Sequence, residues 1–131
     1  AYMSTYGYEW QGDNLLLARE ALYYTFIDNF IHKFKDKPRL ESMKTIADII
    51  SWNLWQMDGI KGVVPNSCHT NTFVQKGTFG KDEVIKCGCV GCEKNDVYRH
   101  NGIYCIIKDW SSCKNKGKGE GKEIEYIDRK R

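Results

Sequence analysis

Cys89-Val90-Gly91-Cys92 is the strongest chemical signal in this chain. Two thiolates three positions apart, with a small residue between them, can grip one ion from a tight turn, and zinc then needs two further ligands. Cys68 lies 21 residues before this knuckle and Cys105 lies 13 after it, each beside β-prone sequence. Cys68, Cys89, Cys92 and Cys105 are therefore expected to close a tetrahedral zinc site between two short hairpins. Cys87, His69 and His100 are also within chain reach, and spacing leaves open a site in which one of them replaces Cys68 or Cys105. Four protein ligands leave no coordination position for water, so the expected role is structural: the ion folds a half of the chain that is poor in apolar residues.

The way cysteine is used supports metal over disulfides. All six cysteines lie between Cys68 and Cys113, which suits a local clip better than a framework spread over the chain. The N-terminus has no basic segment leading into an apolar one, and stretches such as Ile103 to Ile107 fall far short of the roughly 20 residues of a membrane span. The expectation is a soluble chain without membrane contact in the cytoplasm, where thiols stay reduced. Twenty basic against seventeen acidic side chains leave a net charge of +3, too small and too mixed to name a nucleic-acid partner.

Nucleophilic and hydrolytic chemistry has no candidates. The sequence contains no G-x-S-x-G, no phosphate-binding Gly-x-x-x-x-Gly-Lys-Ser/Thr and no H-E-x-x-H. Glu9, Asp13, Asp58 and Asp109 are scattered, and no pattern pairs any two of them.

The elements that must position the cysteines follow from periodicity. Thr5 to Trp10 is aromatic and β-branched and reads as a strand, after which Gln11-Gly12-Asp13 supplies a turn and Asp13 a helix N-cap. From Asn14 to about Phe34, Leu15, Leu16, Ala18, Leu22, Phe26, Ile27, Phe30, Ile31 and Phe34 recur at helical steps, a stripe broad enough to cover one face of a sheet. Asp36-Lys37-Pro38 breaks that helix; Leu40, Met43, Ala47 and Ile50 mark a second, and Asn53 to Met57 a short strand. Strand, helix, helix, strand implies two parallel strands joined by a helical crossover. After Asp58 the composition turns to Gly, Cys, Asn and Lys without a helical period, with strands expected over Gly102 to Trp110 and Lys122 to Ile127. The predicted class is α+β: one domain of 131 residues, with a strand-helix-helix-strand unit over 1–60 and a small β-rich zinc-binding module over 61–131. Between the last strands, Lys114, Lys116 and Lys118 sit in a Gly- and Lys-rich loop, expected to be mobile and the candidate for partner or weak nucleic-acid contact.

Ser4-Thr5-Tyr6-Gly7-Tyr8-Glu9-Trp10, with Asp13-Asn14 and Ala18-Arg19-Glu20, resembles the second strand and following helix of adenine-specific DNA methyltransferases of restriction-modification systems. The resemblance implies that Glu9 takes the position of the acid that holds the ribose of S-adenosylmethionine. Ile50 to Gly59 is similar to the third strand of that family, with Asp58 at the adenine-contacting position and Met57 where the family carries Gly. The likeness runs from Ser4 to Val64; the Cys-rich remainder looks like an appendage found in some members. The family's Gly-rich cofactor loop would precede residue 1, and its Asn-Pro-Pro catalytic loop has no counterpart, since the prolines are Pro38 and Pro65. Met3, directly before the resembling segment, reads as a start of translation. Methyl transfer and full cofactor binding by this chain alone are therefore not expected.

A stand-alone piece of such an enzyme with a zinc clip looks like a phage-encoded anti-CRISPR protein. The expected function is a non-catalytic binding protein of a phage or mobile element that inhibits an RNA-guided DNA nuclease in the bacterial host, its partner being the CRISPR effector. The alternatives are a fragment or accessory piece of an adenine-specific DNA methyltransferase and a small zinc-stabilised nucleic-acid-binding protein.

Overall fold

Extended, aromatic sequence next to a long helical period builds the first half of the chain. In the computed structural model, which describes residues 1–77, 82–111 and 121–130, a 3-10 turn at Tyr2–Ser4 leads into strand β1, Gly7–Glu9. Helix α1 spans Gly12–Phe34 and helix α2 Leu40–Asn53, and strand β2, Leu54–Gln56, follows without a break. β1 and β2 pair in parallel, with Gly7 opposite Leu54 and Glu9 opposite Gln56, as the strand-helix-helix-strand order predicts. Gln11, rather than Asp13, is the N-cap of α1, and Asp13 sits in the first turn, where its charge suits the helix dipole. Lys35 ends α1 in the left-handed region at φ 58°, its N–H donating to Ile31 O at 2.8 Å.

Only part of the apolar stripe of α1 lies against the sheet. Leu15 is buried against Ile50 of α2 and Leu54 of β2, with Tyr2, Ala18, Leu22, Tyr23 and Ile46 packed around them. Leu16, Leu17, Tyr24 and Phe34 remain exposed. A two-stranded sheet of three-residue strands is too narrow to bury both ends of a 23-residue helix. Arg19 Nη2 reinforces the crossover by donating to the carbonyls of Leu54 at 2.6 Å and Ser51 at 3.2 Å, which satisfies acceptors at the end of α2.

The second half holds two antiparallel pairs and a one-turn helix. β3 (Asn71–Gln75) pairs with β4 (Glu83–Cys87), and β5 (Ile106–Asp109) with β6 (Lys122–Glu125). Contrary to the expectation of no helix in this half, α3 spans Val90–Lys94 and a 3-10 helix spans Tyr126–Lys130. Lys114, Lys116 and Lys118 lie outside the described residues. No helix among the described residues is long and apolar enough to cross a membrane.

One buried side chain joins the halves. Asn53, 1% exposed at the end of α2, donates through Nδ2 to Tyr2 O at 2.9 Å and accepts from Trp110 Nε1 at 2.7 Å. Nearby, Tyr6 Oη donates to Lys108 O at 2.7 Å, and Lys108 Nζ stands 4.3 Å from the Trp52 ring centroid. Asn53→Ala strands the buried Trp110 indole N–H, at about 1–3 kcal/mol, while Tyr2 O keeps the Thr5 N–H at 3.2 Å. The expected result is a clearly lowered melting temperature; a thermal unfolding curve within 1–2 °C of the parent, roughly the shift of a few tenths of a kcal/mol, would contradict the bridging role.

Candidate metal centre

Three segments deliver four donor atoms to one point. Cys68 precedes β3, Cys89 and Cys92 flank the first turn of α3, and His100 closes the loop that follows. The three sulfurs and a histidine nitrogen all lie within 4.8 Å of one another. His100 Nδ1 is 3.5 Å from Cys68 Sγ, 3.5 Å from Cys89 Sγ and 3.6 Å from Cys92 Sγ. One ring nitrogen has one lone pair or one proton and cannot serve three thiols at once. Near-equal distances to three sulfurs are the edges of a tetrahedron around an ion, and the group could hold one.

Gly91 is what brings His100 there. Its N–H donates to Arg99 O at 3.0 Å, and its carbonyl accepts from Asp96 N at 3.0 Å, so the 96–100 loop lies directly on the α3 backbone. A Cβ at Gly91 would stand 2.6 Å from His100 N and 2.8 Å from Asp96 O. Gly102 makes the matching approach on the other side, where a Cβ would stand 3.0 Å from Cys68 Sγ. Asn101 then ties the two segments together: its Nδ2 donates to His69 O at 2.7 Å and its Oδ1 accepts from His69 N at 3.2 Å. The backbone N–H of His100 donates to Tyr104 Oη at 2.9 Å, and Tyr104 Oη donates to Val97 O at 3.0 Å.

The electrostatics distinguish the thiols. Burial works against ionisation of Cys89, but the backbone N–H groups of Asn101 and Cys92, with His100 and Cys68, outweigh it and bring this thiol down to about 6. Asn101 N–H lies 3.3 Å from Cys89 Sγ. Cys68 is pushed up to about 11, first by burial and then by hydrogen bonding to and charge on Cys89 and Cys92. Without an ion, Cys89 ionises well before Cys68, and a divalent cation is what would allow clustered thiols to be thiolates together.

Cys105 is not part of the group, a correction to the expected four-cysteine set. Tyr104 and Cys105 alternate on an extended segment; Tyr104 reaches the His100 backbone, while Cys105 is 1% exposed and its thiol lies 3.8 Å from Gln56 O. Burial pushes this thiol up to about 11, which keeps it protonated. Cys87 is exposed at the end of β4, and His69 contacts Asn101 only through its backbone in the bonds above, so neither joins. His100 was within the sequence alternatives, and the signal that singles it out is Gly91, whose missing side chain admits the 99–100 backbone.

The two carboxylates carried by the methyltransferase resemblance lie elsewhere. Glu9 ends β1, and its Oε1 accepts from the N–H groups of Trp10 at 2.9 Å and Gln11 at 3.1 Å. Asp58 lies two residues past β2, so both stand at the carboxyl end of the parallel pair. A cavity of about 200 Å³ separates Asp58 from the metal group, with Trp10, Lys61, Cys68 and Cys92 among its lining.

Substitution separates ligands from bystanders. Cys68→Ser, Cys92→Ser and His100→Ala are expected to lose most bound metal, while Cys105→Ala retains a full equivalent and costs about 1–2 kcal/mol of packing. Elemental analysis with matched thermal melts checks this, and metal loss in Cys105→Ala with retention in His100→Ala would restore the four-cysteine set. No family model, no curated protein and no solved structure matches the chain, so the geometry itself carries the functional argument.

Proposed function

We propose that the group holds one structural zinc ion and that the chain is a piece or accessory unit of an adenine-specific DNA methyltransferase, with its nucleoside-facing edge at Glu9 and Asp58. Thiolate with imidazole is a donor set that suits zinc. Bonds of about 2.3 Å to sulfur and 2.0–2.1 Å to nitrogen, at tetrahedral angles, separate sulfur from nitrogen by about 3.6 Å. The observed separations of 3.5, 3.5 and 3.6 Å agree with that. Four protein donors occupy every position, so the ion's task is folding rather than activation of water.

The observation that carries the methyltransferase reading is the parallel pairing of β1 with β2, each ending in or beside an acid. Open α/β sheets bind nucleotides outside the carboxyl ends of their strands, where Glu9 and Asp58 stand. With no Asn-Pro-Pro loop in the sequence, the chain supplies positioning groups for the cofactor and leaves methyl transfer to another segment or subunit. A second reading, the phage-encoded inhibitor of an RNA-guided DNA nuclease, is favoured by exposed apolar surface: Leu16, Leu17 and Tyr24 on α1, and Phe73, Val74 and Val84 on the β3–β4 hairpin.

Zinc content of protein purified without added metal should be one equivalent per chain, and less than half, roughly, would remove the site. Equilibrium dialysis of the zinc-loaded chain against S-adenosylmethionine should show weak saturable binding near ~1 mM, about 4 kcal/mol, because only the nucleoside side is met. Glu9→Gln should weaken it several-fold. No saturable binding at that concentration, together with loss of DNA cleavage when a panel of RNA-guided nucleases receives near-equimolar protein, would replace this reading with the inhibitor.

A further inference from the structure

The turn after β2 carries a cation to the metal group. Asp58 N–H donates to Val63 O at 2.9 Å, and Gly62 N–H donates to Asp58 O at 2.7 Å, closing a tight turn in which Gly62 takes φ +73°. Asp58 Oδ1 accepts from the N–H groups of Ile60 at 3.0 Å and Lys61 at 3.1 Å, which fixes the carboxylate against the turn's backbone. Lys61 Nζ then stands 3.7 Å from Cys92 Sγ and 3.9 Å from Asp58 Oδ2.

Charge explains why a cation belongs there. Three thiolates, a neutral imidazole and a divalent ion carry a net −1, and Asp58 adds a second negative charge nearby. Lys61 lies between the two. An exposed ion pair alone is worth little, since both long side chains must be immobilised. Here both anions are pre-positioned, one by metal coordination and one by two backbone N–H groups, and only the lysine has to be ordered. Donors to metal-bound ligands characteristically set the ligand's orientation and its hold on the ion. Cys89 has the Asn101 N–H in that role at 3.3 Å; for Cys92 the donor is Lys61. The cavity of about 200 Å³ lined by Asp58, Lys61, Cys68 and Cys92 makes this the side from which a competing ligand reaches the half-buried sulfurs.

We propose that Lys61 is an outer-sphere partner of the metal centre: its ammonium donates to the Cys92 thiolate while pairing with Asp58, and so ties the carboxylate at the end of β2 to the metal-bound segment. This rests on the metal site and not on the methyltransferase reading.

The test is zinc transfer from the loaded protein to a colorimetric chelator, with the spectrum of the cobalt-substituted protein as a second readout. Lys61→Met keeps the aliphatic stem and is expected to release zinc about 10-fold faster or more, and to shift the sulfur-to-cobalt charge-transfer band. Lys61→Arg, which keeps a donor and a charge, should stay within about threefold of the parent. If Lys61→Met matches the parent in both release and spectrum, the proposal is overturned. If both variants release zinc equally fast with an unmoved cobalt band, Lys61 only packs, and the proposal is overturned as well. A parent protein that holds no zinc is a different failure, which removes the site itself.

Discussion

The convergence of three sulfurs on His100 Nδ1 is the contact on which the second half of the molecule depends. It closes two loops at once: Cys68 to Cys89, which contains the β3–β4 hairpin, and Cys92 to His100, which starts within α3. The hairpin cannot stabilise itself. Every residue of β4 is exposed, and β3 has only Asn71 half-buried, so its paired Phe73–Ile85 and Val74–Val84 remove little apolar area from water. An isolated two-stranded hairpin is marginal at best. An ion held by this group would fix both ends of the hairpin, and closure of the loop would then be secured by coordination rather than by packing.

The segments that carry the donor atoms are seated on the first half by short backbone bridges. Asp58 bridges Val63, and Val63 bridges Tyr104, so the turn after β2 becomes an edge for the segment that leads into β5. Val63 is 2% exposed and Cys105 1%, and Met57, Ile107, Trp110 and Ile127 are buried as well. The same bridges bring Lys61 to Cys92. A polar contact between two anionic sites thus follows from the register of a core, and a shift of one residue in that register would turn Val63 outward.

Elements with a strong period were legible in the sequence, and contacts between distant segments were not. The helical steps from Leu15 to Phe34 and from Leu40 to Ile50 gave α1 and α2, and chain order gave the parallel pair, because the connection through two helices forbids a hairpin. The C-x-x-C step marks Cys89 and Cys92, and Cys68 is expected beside them although Cys87 is nearer in sequence. The fourth ligand does not follow from spacing, because the distance in sequence from Cys92 is short for both His100 and Cys105, and the choice is made by which face of an extended segment each side chain takes. The helical stripe of α1 also promised more cover than exists: periodicity states which residues share a face and not whether anything lies against it.

That uncovered face bears on how the first half should be understood. Parallel strands are ordinarily buried on both faces, between layers of helices. Here two three-residue strands carry α1 and α2, while Leu16, Leu17 and Tyr24 of α1 stay in contact with water. A parallel pair so short makes few bonds of its own, and its geometry is held largely by the crossover: by Leu15, Ile50 and Leu54 in the core, and by Arg19 on the carbonyls of Ser51 and Leu54. This arrangement is the minimum that keeps Glu9 and Asp58 at one edge. It sets the two acids at the carboxyl end of one parallel pair, with their spacing held by the crossover rather than by a wide sheet.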